Sequence, residues 1–252
     1  MTEAVHPLPL DPVDFSPRFA AAALAAGFTE EKFGEINGHP LLAYTKLAEA
    51  TRPKIYLSTG IHGDEPAPPW ALLRLVQEGF FDERCSWFVC PLLNPDGFTQ
   101  RIRENAARID LNRDYKALQT AEVRAHVAWL QRQPQFDLVI CGHEDWESTG
   151  FYLYELNLAN RVTLAHAMID AARQHGPIDL ASVIDGRESA EPGIIRPTAD
   201  PALRETWPEA LYLAYQHCPL VYTIESASAQ PLEQRVTTQT AVLRAAMADF
   251  LT

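Results

Sequence analysis

The chain has 252 residues, of which 47% are hydrophobic, and this length suits one large domain or two small ones. Its formal net charge of −12 argues against a nucleic-acid partner, which would need a basic face. We expect no membrane partner and a cytoplasmic location, because the sequence shows neither a long apolar segment nor a secretory signal. Four cysteines without a Cys-x-x-Cys pair are interpreted as core thiols: Cys85, Cys90, Cys141 and Cys218.

The predicted elements alternate between strands and helices after an irregular lead-in at residues 1–16. Helices are predicted at residues 17–26, 66–77, 120–132, 159–174, 208–216 and 236–250. Strands are predicted at residues 41–47, 54–59, 87–93, 137–141 and 219–224. Residues 176–210 are rich in Pro, Gly and charge, so we expect a long surface excursion of the kind that carries function.

This alternation predicts one α/β domain over residues 1–252 with a largely parallel sheet. In such sheets ligands bind beyond the carboxyl ends of the strands. His62, His143 and Glu225 each follow a predicted strand. We therefore expect these three side chains to meet at one edge of the sheet.

A candidate metal motif, Gly-Ile-His-Gly-Asp-Glu, follows the second predicted strand at residues 60–65. Imidazole nitrogen and carboxylate oxygen are ligands of catalytic zinc, which keeps one position open for water. A single His-x-x-Glu pair is a weak signal, but His143 would complete a site of two histidines and one carboxylate with His62 and Glu65. The other histidines are interpreted as structural or surface residues: His6, His39, His126, His166, His175 and His217.

Glu225 closes the apolar strand at residues 219–224. A carboxylate there is either solvated at the rim or a base that takes a proton from zinc-activated water. Asn-Pro-Asp-Gly at residues 94–97 predicts a turn. The polar segments at residues 103–106 and 110–113 are either solvated loops or Arg–Asn pairs that recognise a carboxylate.

Taken together, these motifs resemble the zinc carboxypeptidases, the carboxypeptidase A/B-like family, and especially its bacterial branch near the murein-peptide amidases. The matching pieces are Gly-Ile-His-Gly-Asp-Glu at 60–65, Asn-Pro-Asp-Gly at 94–97, Arg-x-Asn at 103–105, Asp-Leu-Asn-Arg-Asp-Tyr at 110–115, His143 and Glu225. Their order and rough spacing agree with that family from about residue 40 to residue 250. The related succinylglutamate desuccinylases and aspartoacylases share the zinc ligands and the glutamate base.

The resemblance implies a three-layer α/β/α sandwich around a mixed, largely parallel, eight-stranded sheet. It implies one zinc ion per chain, with the ligands His62, Glu65 and His143. It also implies roles for four further residues: Glu225 as general base and acid, Arg103 polarising the scissile carbonyl, and Asn112 with Arg113 holding the substrate's terminal carboxylate. The implied activity is zinc-dependent removal of a C-terminal residue from peptides or cell-wall peptides.

Several alternatives stay open at this point. A zinc-dependent deacylase of small N-acyl amino acids would use the same site, and a catalytically dead zinc-binding module is a third reading. The acidic residues 144–147 form either a solvated loop or a subsite for a cationic substrate end. Tyr212 and Tyr215 lie at unconvincing spacing for the substrate-closing tyrosine of the family, and the sequence does not indicate the oligomeric state.

Overall fold

The computed structural model describes residues 10–197 and 201–252, so the predictions for residues 1–9, including His6, lie outside it. Its helices are α1 (Pro12–Ala25), α2 (Ala67–Gln77), α3 (Pro95–Gln100), α4 (Ala121–Leu130), α5 (Ala165–Arg173), α6 (Glu209–Gln216) and α7 (Leu232–Phe250). Short 3₁₀ turns cover Leu111–Arg113 and Pro201–Leu203. Within the described ranges, no helix is both long enough and apolar enough to cross a membrane.

Ten strands accompany these helices in the described residues. They are β1 (Thr29–Ile36), β2 (His39–Lys46), β3 (Lys54–Ser58), β4 (Ser86–Cys90), β5 (Leu138–Asp145), β6 (Tyr152–Asn157), β7 (Val183–Ile184), β8 (Arg187–Glu188), β9 (Ile194–Ile195) and β10 (Leu220–Ala227). Of these, β1, β6 and the three short strands β7 to β9 were not predicted from the sequence.

Eight of the strands form one mixed sheet in the order β1-β2-β4-β3-β5-β10-β6-β9. The β4/β3, β3/β5, β5/β10 and β6/β9 pairs are parallel, whereas β1/β2, β2/β4 and β10/β6 are antiparallel. The predicted mixed, largely parallel, eight-stranded sheet is therefore confirmed. Its central strand β3 is buried from Ile55 onwards, as expected for a strand covered on both faces.

Helices cover both faces of the sheet, which gives the predicted three-layer α/β/α sandwich. On one face α1 packs on α2, α2 packs on α7, and α7 packs on α5. On the other face the imidazole of His126 in α4 meets the hydroxyl of Tyr56 in β3, and the carboxyl of Glu209 in α6 also lies against Tyr56. Alternate residues along the parallel strands thus face different helical layers.

Helix α1 begins earlier than the sequence predicted, because residues 12–16 are helical and not part of an irregular lead-in. The side chain of Asp11 accepts a hydrogen bond from the backbone N–H of Val13 and caps the helix, and Pro12 occupies the first turn. Pro17 was taken as the start but lies inside the helix. Burial of the neighbouring Phe15 and Phe19 compensates for the hydrogen bond that this proline removes.

Strands β5 and β10 continue beyond their predicted ends, so His143 and Glu225 lie within strands and not after them. The ladder pairs Glu225 with His143 and runs on to Ala227 opposite Asp145. The hydrogen bonds of this ladder hold both side chains at fixed positions near the carboxyl ends of β5 and β10.

Residues 94–97 were predicted as a turn but begin a helix. Asn94 is the N-cap of α3, and its side-chain oxygen accepts a hydrogen bond from the backbone N–H of Gly97. The expected surface excursion is also more ordered than predicted. The short hairpin β7–β8 lies within it, and β9 joins the main sheet beside β6.

His126 is a buried core histidine, as the sequence suggested. Its two ring nitrogens lie 2.7 Å from the hydroxyl oxygens of Tyr56 and Tyr115. Burial lowers the pKa of His126 to about 3, with a smaller contribution from His217. The folded protein therefore holds this imidazole in its neutral form at neutral pH.

The titration of His126 predicts an acid-sensitive contribution to stability. Since the unfolded chain binds this proton near pH 6.5 and the folded chain near pH 3, the free energy of unfolding should fall with decreasing pH between these values. The slope from this single group is about 1.4 kcal/mol per pH unit.

Urea unfolding of wild type and His126→Gln at pH 7 and pH 5 measures this contribution. The wild type should lose about 2 kcal/mol more than the variant between these values. His175→Gln, made on an exposed histidine, is the matched control and should keep the wild-type slope. Equal pH dependence in wild type and His126→Gln would contradict the assignment.

Candidate active site

The predicted metal ligands converge in the structure. The Nδ1 atom of His62 lies 2.5 Å from Oε1 of Glu65, and the Nδ1 atom of His143 lies 3.0 Å from Oε2 of the same carboxylate. The two Nδ1 atoms are 3.3 Å apart. All three side chains are buried, and their donor atoms surround one small space.

This donor set suits a zinc ion. Tetrahedral zinc with ligand bonds of about 2.0–2.1 Å places neighbouring ligand atoms about 3.3 Å apart. The His62–His143 and His143–Glu65 separations of 3.3 and 3.0 Å are close to that value, whereas the His62–Glu65 separation of 2.5 Å is shorter. Two imidazoles with one carboxylate also leave a fourth position for water. The four cysteines are buried free thiols, as predicted, and take no part in this cluster.

Asp110 contacts the His62 imidazole on the side that faces away from the other two ligands. Its Oδ1 lies 3.3 Å from Nε2 of His62, which places a carboxylate on the imidazole nitrogen that faces away from the ligand cluster. Burial alone would raise the pKa of Asp110, but the hydrogen bond and charge of His62, together with Arg103, hold that pKa well below its usual range. The ionised carboxylate therefore fixes the orientation of the His62 ring.

Asn94 joins three segments of the site. Besides capping α3, its amide donates to the carbonyl oxygen of Ile61 at 3.1 Å and to that of Arg103 at 3.3 Å. The sequence analysis treated Asn94 as part of a turn and assigned it no role. Its position directly after the predicted apolar strand at residues 87–93 was the available signal.

A close approach between two glycines sets the path of the loop that carries His62 and Glu65. A Cβ atom added to Gly63 would lie only 1.9 Å from the carbonyl carbon of Gly97. No side chain fits there, so the loop that carries His62 and Glu65 packs directly on the backbone of α3.

The cluster opens into a cleft of about 700 Å³. The residues with predicted roles all line this cleft: His62, Glu65, Arg103, Asn112, Arg113, His143 and Glu225. The structure thus brings together residues that are up to about 160 positions apart in the chain. Convergence of this kind defines a candidate active site.

Arg103 lies beside the metal ligands. Its Nε donates to Oδ2 of Asp110 at 3.0 Å, and its Nη1 is 3.6 Å from Oε1 of Glu65. Burial alone would lower the pKa of Arg103, but the charges of Asp110 and Glu65 raise it. The guanidinium is therefore held in its charged form next to the ligand cluster.

Asn112 and Arg113 lie in the 3₁₀ turn at the side of the cleft. The side-chain oxygen of Asn112 accepts a hydrogen bond from the backbone N–H of Glu209 at 2.8 Å. Arg113 donates from Nη1 to the carbonyl oxygen of Asn112 at 2.8 Å, and its side chain is exposed. The contact with α6 fixes Asn112, and no group in the described residues accepts a hydrogen bond from its amide NH₂ group.

Glu225 lines the cleft from β10, opposite His143 in the ladder. Its pKa lies well above the usual range because of burial and of the neighbouring charges of Glu65 and Asp145, although His143 and Arg103 oppose the shift. A raised pKa makes a carboxyl group a stronger base, which suits a group that accepts a proton and later returns it.

Glu144 is buried and not solvated. Its carboxylate accepts a hydrogen bond from the backbone N–H of Ala67 at 2.8 Å and pairs with Arg235 at 2.5 Å. Burial raises its pKa to about 7, although Arg235 opposes the shift. Glu144 therefore ties the start of α2 to α7, and all four residues of the segment 144–147 line the cleft.

Neither tyrosine considered for closing the site lines the cleft. Tyr212 is buried, with its ring centroid 5.6 Å from that of His217, and Tyr215 is partly exposed on α6. The sequence analysis missed several cleft residues, among them Tyr152, Tyr154, Arg187 and Arg204. The composition of residues 176–210 signalled a functional segment, but it did not single out the two arginines.

Comparison with known proteins agrees with a metal-dependent hydrolase. Residues 51–251 match the succinylglutamate desuccinylase/aspartoacylase catalytic domain. Because this match spans most of the chain, the protein belongs to that family. The resemblance to the metallocarboxypeptidases and their desuccinylase relatives is therefore confirmed.

Solved structures share the fold over nearly the whole chain. A candidate metallopeptidase from Shewanella amazonensis SB2B is 26% identical, with a TM-score of 0.83 and coverage of 95% of this chain and 93% of that one. A metallo-carboxypeptidase from Burkholderia cenocepacia is 19% identical, with a TM-score of 0.72 and coverage of 96% and 70%. At 19% identity, the similarity to the Burkholderia cenocepacia protein shows a shared fold and nothing more.

One curated relative is similar over a shorter stretch. Carboxypeptidase SOL1 of Arabidopsis thaliana is 34% identical over 119 residues, which is 39% of this chain and 22% of that relative. The matched part thus spans about a fifth of the relative's length. Together with the His-Glu-His cluster, these similarities support a hydrolase with a metal site.

The contact between Gly63 and Gly97 predicts that Gly63→Ala weakens metal binding. The added methyl group has no space, so the loop must move and the donor atoms of His62 and Glu65 must separate from those of His143. We expect zinc affinity to fall at least tenfold in a competition titration with a chromophoric chelator.

Gly79→Ala is the control for a general loss of stability. A Cβ atom at Gly79 meets nothing within 4 Å, but the residue has φ +68°, so the substitution strains the backbone far from the cleft. This variant should unfold more easily and keep wild-type zinc affinity. Wild-type zinc affinity in Gly63→Ala would show that the glycine contact does not position the ligands.

Proposed function

We propose that the protein is a zinc-dependent metallocarboxypeptidase that hydrolyses the C-terminal amide bond of peptides or cell-wall peptides. The observation that carries this proposal is the meeting, in one cleft, of the His-Glu-His cluster, the carboxyl group of Glu225 and the Asn112–Arg113 pair. A metal centre with a proton carrier is the machinery of amide hydrolysis, and an exopeptidase must also hold a free carboxylate.

His62, Glu65 and His143 would hold the zinc ion. When bound, zinc supplies a water of lowered pKa and a positive charge that polarises the scissile carbonyl. Asp110 keeps the His62 ring in its orientation through the contact at Nε2. Burial of the three ligands excludes bulk water from their donor atoms.

Glu225 would carry the proton. Its carboxylate accepts a proton from the attacking water and then donates it to the nitrogen of the leaving amine. Arg103 adds a fixed positive charge beside Glu65, where negative charge develops on the carbonyl oxygen. The neighbouring Asp110 prevents this guanidinium from swinging away.

Asn112 and Arg113 would hold the terminal carboxylate of the substrate. The contact of Asn112 with the N–H of Glu209 fixes the amide, and its NH₂ group donates into the cleft. Arg113 uses one N–H on its own turn and keeps the rest of its donor fork for a ligand.

The cleft is large enough for a peptide end as well as for a small N-acyl amino acid. A volume of about 700 Å³ falls within the roughly 300–1,000 Å³ range of pockets that hold drug-sized molecules. The second candidate function, deacylation of small N-acyl amino acids, is favoured by the family match over residues 51–251. Both substrates present the same unit, an amide whose amine half is an amino acid with a free carboxylate.

A hydrolysis screen of the zinc-loaded protein by mass spectrometry tests the proposal. The panel contains peptides that differ in their last residue, a murein tripeptide and N-acyl amino acids. Release of one C-terminal residue is the expected result. Glu225→Gln should bind zinc and lower the rate at least 10³-fold, because the proton carrier is lost while the ligand cluster stays intact.

Other outcomes separate the alternatives. Cleavage of N-acyl amino acids without cleavage of peptides would replace the carboxypeptidase proposal with the deacylase. Stoichiometric zinc without hydrolysis of any compound would support a catalytically inactive binding module. Full activity in Glu225→Gln would place the proton carrier elsewhere.

A further inference from the structure

The carboxyl group of Glu144 lies between the sheet and the helices α2 and α7. Successive side chains of a strand point to opposite faces of the sheet, so Glu144 leaves β5 on the face opposite to its neighbour His143. The carboxylate accepts a hydrogen bond from the backbone N–H of Ala67 at 2.8 Å and pairs with Arg235 of α7. The side chain of Glu144 is fully buried, and that of Arg235 is 12% exposed. We call Glu144 and Arg235 the buried ion pair.

The buried ion pair contacts the chain close to each part of the site. Glu144 itself follows the ligand His143, and Ala67 comes two residues after the ligand Glu65. The hydroxyl of Ser226, which is the residue after the proposed proton carrier, donates to Oε1 of Glu144 at 3.4 Å. One carboxylate therefore connects the backbone segments that carry the metal ligands and the proton carrier.

Helix α2 begins directly after the metal loop and has no capping side chain of its own. Pro66 occupies its N-cap position and offers no side-chain acceptor. The backbone N–H groups of a first turn lack partners within the helix, and a negative charge beside them is stabilising. Glu144 supplies both the acceptor and the charge from β5. A residue next to His143 therefore fixes the start of α2, and with it the backbone that follows Glu65.

Helix α7 holds this arrangement from the side away from the sheet. Arg235 and Gln239 are four residues apart, so they lie on the same face of the helix. Gln239 donates from Nε2 to the carbonyl oxygen of His143 at 2.7 Å and to the hydroxyl oxygen of Ser226 at 3.1 Å. The guanidinium of Arg235 donates from Nη1 to Oε1 of Glu144. One face of α7 thus contacts Glu144 and the residue on either side of it in the ladder region.

Stability alone is a poor explanation for a buried ion pair. Moving two charges out of water is costly, and apolar residues of similar volume often give a fold of equal or greater stability. An apolar side chain at position 144, however, could not accept the hydrogen bond from Ala67. The specific contribution of the pair is therefore the position that it gives to the backbone beside the metal ligands.

We propose that Glu144 and Arg235 are positioning residues for the metal centre, which hold the backbone segments of Glu65 and His143 at the spacing that a zinc ion requires. This inference rests on the zinc ligands of the proposed function and is independent of which amide is hydrolysed. In this account neither residue coordinates the metal or moves a proton. Loss of the pair should therefore lower zinc affinity even where the stability of the fold is kept.

The test measures zinc affinity and stability separately. Zinc affinity is measured at pH 8 by competition with a chromophoric chelator, and the urea midpoint of the metal-free protein is measured in excess chelator. The double variant Glu144→Met/Arg235→Met buries no charge, so its urea midpoint should equal or exceed that of wild type. It has no acceptor for the N–H of Ala67, so its zinc affinity should fall at least tenfold.

A second double variant restores the acceptor without the charge. In Glu144→Gln/Arg235→Met the amide oxygen can accept the hydrogen bond from Ala67, and the hydroxyl oxygen of Ser226 is within reach of the amide NH₂ group. Its zinc affinity should stay close to the wild-type value. The single variant Arg235→Met leaves the carboxylate of Glu144 buried without its counter-charge, so both its urea midpoint and its zinc affinity should fall.

Arg244→Met is the matched control for a lost ion pair between the same two helices. Arg244 of α7 pairs with Glu78 at the other end of α2, and both side chains are exposed. Because this pair lies far along α2 from the metal loop, the variant should keep wild-type zinc affinity.

Wild-type zinc affinity in Glu144→Met/Arg235→Met would overturn the inference and leave the proposed function intact. So would a zinc affinity that follows the urea midpoint in every variant, because a merely structural pair behaves in that way. If the methionine double variant does not fold, Arg235→Met should still bind zinc at least tenfold more weakly than Glu144→Gln/Arg235→Met, and equal affinities would contradict the inference. Absence of zinc binding by wild type would refute the metal site and this inference together.

Discussion

The parallel pairing of β5 with β10 is the constraint on which the whole site depends. It places His143 directly opposite Glu225, and β3 on the other side of β5 ends where the loop with His62 and Glu65 begins. Backbone hydrogen bonds between strands fix these positions to within a few tenths of an ångström. The sheet therefore sets the separation of His143 and Glu225, and the contact of Gly63 with Gly97 positions the loop that carries His62 and Glu65.

The buried cluster carries an electrostatic cost that the surrounding structure offsets. Burial alone would raise the pKa of Glu65, but His62 and His143 hold that pKa far below its usual range. The carbonyl oxygen of His143 accepts a hydrogen bond from Gln239 of α7 at 2.7 Å, and Asp110 holds the His62 ring. These contacts keep the donor atoms together, and a bound cation would offset the remaining electrostatic cost of the buried carboxylate.

The sequence predicted the parts of the site that follow from periodicity and local chemistry. His62 and Glu65 were found because the end of an apolar strand can be predicted, and the carboxyl ends of parallel strands lie on the same side of the sheet. Arg187 and Arg204 were missed because the segment that carries them has no periodic pattern, and contacts such as β9 with β6 set its path. Likewise, the burial of Glu144 depends on Arg235, a residue 91 positions away, and no local signal reveals such a pair.

The coordination of zinc tests the central claim most directly. X-ray absorption at the zinc edge of the stoichiometrically loaded protein should show nitrogen and oxygen ligands at about 2.0–2.2 Å, with the outer-shell scattering of two imidazoles. His143→Ala should lose one of these imidazoles. Sulfur at about 2.3 Å, or an unchanged imidazole count in the variant, would show that the metal binds elsewhere and would contradict the account.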